Sequence, residues 1–194
     1  MLLALALILA LALHEYAHAL AADLQGDRLP RAMGRLTPNP LRHLDPLGTL
    51  MIVLVGFGWG KPVEFRPQAL SSRRFGAAIV ALAGPAMNLL LAVVAAFVLL
   101  RVDPPPLSGS TLSGFLQLFT VLNVVLAVFN LLPLPPLDGS RLLTIFLPPR
   151  HHRLLYFLDR YGVLILLALL FFGGLRFLAP VQDWVLGRIV ALVT

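Results

Sequence analysis

Apolar residues dominate four long stretches of the chain: 1–22, 75–100, 112–132 and about 154–179. A bilayer core of about 30 Å takes roughly 20 helical residues to cross, and each stretch reaches that length. A fifth run, 47–57, is too short to cross; bracketed by Pro46 and by Gly56, Gly58 and Gly60, it reads as a re-entrant or interfacial segment. Residues 181–194 form a second short run, interrupted by Asp183 and Arg188, that suits a half-span or an interfacial helix. Between the first two spans, residues 23–74 carry Pro38, Pro40, Pro46, Pro62 and Pro67, which rule out a long helix. Within that loop, 56–65 alternates small and large residues, which suits a small β-hairpin at the interface with Trp59 as anchor. The edge of such a hairpin could pair with an unfolded peptide by strand addition, or the segment could be a loop with no substrate role. The expected fold is an all-α polytopic membrane protein with four to six spanning or half-spanning helices and a hairpin or re-entrant loop. One intramembrane domain is expected over 1–194, with its core in 1–146 and C-terminal helices in 153–194.

Composition supports the membrane setting. Of the 194 residues, 59% are hydrophobic and 12% charged, with a mean hydropathy of +0.89. Soluble domains carry about 25% charged residues, and half that fraction leaves too little polar surface to face water. The net charge of +6 comes from residues scattered along loops, with no basic and aromatic stripe, so anionic lipid headgroups explain it and nucleic acid does not. Sidedness follows from where the Lys and Arg residues lie. The first loop carries eight (Arg28, Arg31, Arg35, Arg42, Lys61, Arg66, Arg73, Arg74) and the segment after the third span four (Arg141, Arg150, Arg153, Arg160). The opposite side holds three: Arg101, Arg176 and Arg188. The positive-inside rule then puts the loop 23–74 in the cytoplasm and the N-terminus outside a multi-pass protein of the cell membrane.

Candidate chemistry lies inside the first span, at His14-Glu15-Tyr16-Ala17-His18. Ionisable groups at membrane depth are costly and mark functional sites. Residues four apart share one helix face, so His14 and His18 can grip one metal ion. Glu15, turned roughly 100° from His14, lies beside the metal within reach of a water. His-Glu-x-x-His on a helix is the zinc hydrolase arrangement, with the glutamate as general base. A cleaved signal peptide is a poor alternative, because the N-terminal region lacks Lys and Arg and cleavage would discard this motif.

The chain has no cysteine, so any metal is held by His and carboxylate. A catalytic zinc takes three protein ligands and keeps one position open. Glu64 sits among basic neighbours in the proline-bounded loop and reads as a solvated charge. Asp23 faces the opposite side of the first helix, and Asp27 and Asp45 lie in the polar loop. His43, His151 and His152 read as loop or interfacial residues. Asp138 differs: Pro133, Pro135 and Pro136 stop the third helix just before it, and Gly139 follows. Unwound backbone in apolar surroundings is tolerated only where it is buried or lines a cavity, and a carboxylate there can point inward. With the His-Glu-x-x-His motif present, Asp138 is the third ligand. Asn88, Asn123 and Asn130 are the other buried polar candidates; asparagine there serves as a hydrogen bond between helices or as an oxyanion donor.

Together these residues resemble the site-2 protease family of intramembrane zinc metalloproteases, in its short prokaryotic form without PDZ or CBS modules. The resemblance rests on His14-Glu15-x-x-His18, on Ala83-Gly84-Pro85-x-x-Asn88 and on Asn130-x-x-Pro133-x-Pro135-x-Leu137-Asp138-Gly139. The loop segments 37–48 and 58–63 also look like this branch. It implies one zinc ion held by His14, His18 and Asp138, with Glu15 activating water. It further implies that Asn88 and Asn130 lie near the site, positioning substrate or donating to the oxyanion. The implied activity is hydrolysis of peptide bonds in or near transmembrane segments of membrane proteins. The alternative is a catalytically inactive membrane scaffold or metal-binding protein of the same fold.

Overall fold

The computed structural model describes residues 1–55, 58–102, 110–146 and 152–194. Among them lie eight α-helices: α1 (Leu2–Leu24), α2 (Leu29–Ala32), α3 (Pro46–Val55), α4 (Arg73–Val102), α5 (Thr111–Asn130), α6 (Gly139–Phe146), α7 (His152–Phe171) and α8 (Ala179–Val193). Four are long and apolar enough to cross a membrane: Leu2–Leu24, Phe75–Val102, Thr111–Asn130 and Arg153–Phe171. They fall on the four expected stretches, and the chain is an all-α, multi-pass membrane protein.

Small side chains decide which helices meet. Residues Ala6 and Ala10 of α1 pack with Ala95 of α4 and Phe119 of α5. Along the next layer Ala92 and Ala96 of α4 meet Val124 and Val128 of α5, with Leu178 and Ile189 closing the cluster beside α8. Where lipid is as apolar as leucine, close backbone approach through such residues holds helices together. The start of α5 is fixed by Ser110, whose hydroxyl accepts from Ser113 N–H at 3.1 Å; such caps contribute about 1 kcal/mol. Pro85 sits inside α4, where it offers no N–H to the carbonyl of Ala81.

The polar loop departs from expectation at its hairpin. The run expected to be re-entrant or interfacial forms the ten-residue helix α3, capped by Asp45, whose carboxylate accepts from Gly48 N–H at 2.8 Å. The expected hairpin does not form: among the described residues there is no strand, only one isolated antiparallel bridge between Leu44 and Gly60. Gly56 and Phe57, part of that expectation, lie outside the described residues. The physical reason is that, apart from Lys61 N–H on the His43 carbonyl, segment 60–66 bonds to side chains from elsewhere instead of to a second strand. Arg35 takes the carbonyls of Lys61 and Pro62, Glu15 the N–H of Val63, and Asp27 the N–H of Arg66.

Candidate metal centre

The first helix delivers two imidazoles to one place. His14 and His18, one turn apart on α1, are both buried and face α4 at Gly84. Their Nε2 atoms lie 3.0 Å apart. The chain returns to the same point 124 residues later, where the turn after α5 brings Asp138 Oδ2 to 3.0 Å from His14 Nε2 and 3.3 Å from His18 Nε2. Gly139 makes this turn possible, since a Cβ there would run into the backbone of Leu131 and Leu132.

Hydrogen bonding on the far side of each ring fixes which nitrogen is available. His18 Nδ1–H donates to the Val80 carbonyl at 2.7 Å, and a carbonyl can only accept. His14 Nδ1–H donates to Asn88 Oδ1 at 2.5 Å. Asn88 is held in that orientation because its amide donates to Asn123 Oδ1 at 2.7 Å and to the Ala10 carbonyl at 3.5 Å. Asn123 in turn donates to the Phe119 carbonyl at 2.8 Å. With both protons on Nδ1, two Nε2 lone pairs and a carboxylate oxygen converge with no hydrogen between them. That set is self-repelling until a cation joins it, and the separations fit zinc: bonds of about 2.0 Å to one tetrahedral ion place ligands about 3.3 Å apart. Room for an ion depends on Gly84, where a Cβ would collide with Nε2 of both histidines. Residues of this chemistry, with outer partners orienting each imidazole, suit zinc.

Glu15 lies beside this trio, half-buried, with Oε2 accepting from Val63 N–H at 3.0 Å. Histidines 14 and 18, Glu15, Val63, Asn130 and Asp138 line one cavity of about 110 Å³. Phe65 and Arg141 also line it, with the guanidinium 4.6 Å from the ring centroid. Asn130 donates to the Leu126 carbonyl at 3.0 Å, one turn back on α5.

The structure thus brings together His14, Glu15, His18, Asn130 and Asp138 around one cavity. Asn88 is different. Its carbonyl oxygen and amide are both engaged within the bundle, so it sits behind His14 rather than as the open-facing oxyanion donor that the resemblance allowed. The excluded carboxylates stay away as expected, with Asp23 held by Arg31 at 2.7 Å and Glu64 exposed.

Two loop residues are more buried than a loop setting suggests. His43, read as a loop or interfacial residue, is buried, with Nε2 donating to the Thr37 carbonyl at 2.7 Å and its own carbonyl accepting from Lys61 N–H at 2.8 Å. Burial holds it below the usual imidazole range. Asp27 lies in the polar loop as expected and is fully buried there. Burial alone would raise its pKa, yet N–H groups of Arg66 and Leu29 and the Arg66 guanidinium hold it below the ordinary carboxylate value. His151 lies outside the described residues.

Asn123 makes the hydrogen bond between helices expected of an asparagine in a span, whereas Arg35 and Asp27, behind the Val63 segment, carry no mark in the sequence. In the sequence these two look like ordinary loop charges.

The sequence profile of peptidase family M50 matches residues 2–105 and 105–172. The chain is 36% identical over 189 residues to the protein named "Putative zinc metalloprotease YwhC" of Bacillus subtilis (strain 168), across 95% of this chain and 83% of that one. It is 38% identical over 174 residues to "Putative zinc metalloprotease Rip2" of Mycolicibacterium smegmatis, across 84% and 64% of the two chains. The same-named protein of Mycobacterium tuberculosis (strain H37Rv) is 34% identical over 191 residues, across 93% and 68%. No solved structure matches the chain.

Proposed function

Because this chain belongs to peptidase family M50, the site-2 protease family, we propose that it is an intramembrane zinc endopeptidase. It hydrolyses peptide bonds in or near transmembrane segments of membrane-protein substrates. The observation that carries the reading is the convergence of three ligand atoms, from His14, His18 and Asp138, within 4.8 Å of one another, with Glu15 on the same cavity.

In this reading His14, His18 and Asp138 hold one zinc ion. When bound, zinc polarises a carbonyl and lowers the pKa of water toward about 7. Glu15 is the general base: it accepts the proton of the attacking water and passes it to the leaving amine nitrogen, so the peptide bond breaks with no net proton change. Asn88 keeps His14 in its Nδ1–H tautomer, a positioning role. Asn130, at the end of α5 on the cavity wall, positions substrate. Burial of the site among α1, α4 and α5 requires a substrate segment to unwind before its carbonyl can enter. The distribution of Lys and Arg, twelve against three, supports a cytoplasmic 23–74 and an outside N-terminus. The whole of 1–194 works as one domain, with its core in 1–146.

The test uses purified full-length protein in lipid nanodiscs, a model transmembrane peptide and elemental analysis. Wild type is expected to carry one zinc and to cleave in a chelator-sensitive manner. Glu15→Gln is expected to keep zinc and lose cleavage, whereas His14→Ala and Asp138→Ala lose both. Cleavage by Glu15→Gln would overturn the general-base assignment. Zinc without cleavage in wild type would favour an inactive scaffold.

A further inference from the structure

The half-buried carboxylate of Glu15 has one backbone partner, Val63 N–H at 3.0 Å, and that partner sits in an irregular loop rather than in a helix or sheet. Something must hold Val63 in place. Arg35 is 3% exposed, and its guanidinium points into the fold of this loop. One terminal nitrogen donates to the Arg42 carbonyl. The other donates to the carbonyls of Lys61 at 2.7 Å and Pro62 at 3.0 Å, the two peptide units immediately before Val63. None of the ion pairs among the described residues includes Arg35, so this buried cation is solvated by backbone carbonyls. A buried charge is retained only where such bonds satisfy it. A planar fork with fixed donor directions can span three carbonyls in one geometry, which a lysine cannot reproduce. Beyond Val63, Asp27 holds the N–H of Arg66, so the segment is fastened on both sides of the residue that meets Glu15.

We propose that Arg35 is a positioning residue for Glu15. Its guanidinium gathers the carbonyls of Arg42, Lys61 and Pro62, and thereby holds the Val63 N–H on the Glu15 carboxylate. The chain of contact runs from Arg35 through Lys61 and Pro62 to Val63 and then to Glu15, and the guanidinium and the Glu15 carboxylate also attract one another through charge. The proposal rests on the reading of Glu15 as general base. It predicts that loosening the clamp leaves the metal ligands untouched while it misplaces the base, and a misplacement of about 1 Å can cost on the order of 100-fold in rate.

The experiment compares wild type, Arg35→Met, Val63→Pro and the double variant, all full-length in nanodiscs. Val63→Pro deletes the donated N–H directly. Each single variant is expected to lower kcat for a model transmembrane peptide by about 100-fold, with KM within about threefold and zinc stoichiometry unchanged. The double variant is expected to be much less than multiplicatively slow, because both changes remove the Val63 N–H bond to Glu15 and Arg35→Met adds only the loss of its charge attraction. A general loss of folding would instead lower zinc content, and losses through separate causes would multiply. Amide hydrogen exchange supplies a readout apart from cleavage: Arg35→Met should speed exchange at 61–63 by at least about tenfold, with α1 and α4 unchanged. Multiplicative kcat losses, a kcat within twofold of wild type, loss of zinc, or unchanged exchange at 61–63 would each overturn the proposal. If wild type itself cleaves no peptide, the proposed function fails, and the exchange result alone decides whether the clamp exists.

Discussion

In α1, 44% of the most apolar stretch is buried inside protein, against 6% in the span of α7, although their mean hydropathies are 1.7 and 2.0. The difference lies in side-chain size. On α1 the buried positions are mostly alanines (Ala6, Ala10, Ala12, Ala17, Ala19 and Ala22) with the two histidines among them. On α7, Leu164, Leu167, Leu170 and Phe171 are exposed. Its glycine is an approach point: a Cβ on Gly162 would sit against Pro135. Hydropathy therefore identifies the solvent of a helix, and small residues identify its protein neighbours. His14 and His18 belong to the first kind of helix, where close packing fixes ring orientation.

The sharpest break of this contrast is one methyl group inside the packed region. Gly84→Ala pushes a carbon into Nε2 of both histidines, and zinc bound per chain should fall to background in elemental analysis, with every ligand still present. Next comes the outer support. Asn88→Ala frees the His14 ring, and zinc affinity measured by competition with a chromophoric chelator should drop about 10- to 100-fold. Packing itself is the third test: Ala10→Leu should destabilise the protein by about 1–3 kcal/mol. By contrast, Leu164→Ala on the lipid-facing side of α7 should stay within about 0.5 kcal/mol. Unfolding in mixed micelles reads both, and equal effects would refute the contrast.

The smallest effect concerns the polar loop. The folded pKa of Asp27 lies below its unfolded value of about 3.9, so its pairing with Arg66 contributes stability above that value. The contribution is lost as pH falls through the lower, folded pKa. Hydrogen exchange of 61–66, followed from about pH 5 downward, should therefore accelerate below about pH 4 once the intrinsic pH dependence is subtracted. Asp27→Asn should show reduced protection throughout and no such step.

The spans and the meeting of His14, His18 and Asp138 are legible because each rests on a local signal. Four apolar runs read directly as helices, and the i, i+4 histidines need only a helix to meet. Asp138 was legible from its setting, a carboxylate just past a proline-stopped span. The loop was not legible, because its order comes from partners distant in sequence. Arg35 binds carbonyls 26 and 27 residues away, and Asp27 meets Arg66 across 39 residues. A carbonyl belongs to every residue type, so nothing in the letters marks the partners of Arg35. The same reason explains the missing hairpin: alternation at 56–65 suggested a strand, but, apart from Lys61 N–H, the backbone groups at 61–66 were claimed by side chains. His43 follows suit, hidden by a turn that brings the Thr37 carbonyl onto its ring.

The 124-residue separation of His14 and Asp138 also has a meaning for biosynthesis. At about 5–20 residues per second, Asp138 is made roughly 6–25 s after His14. Through that interval the growing polypeptide holds two imidazoles and a glutamate already in the first helix, but lacks the third donor. Only insertion of α5 and the turn beyond it completes the set, so an unfinished or stalled chain cannot assemble the full centre in the membrane that is receiving it.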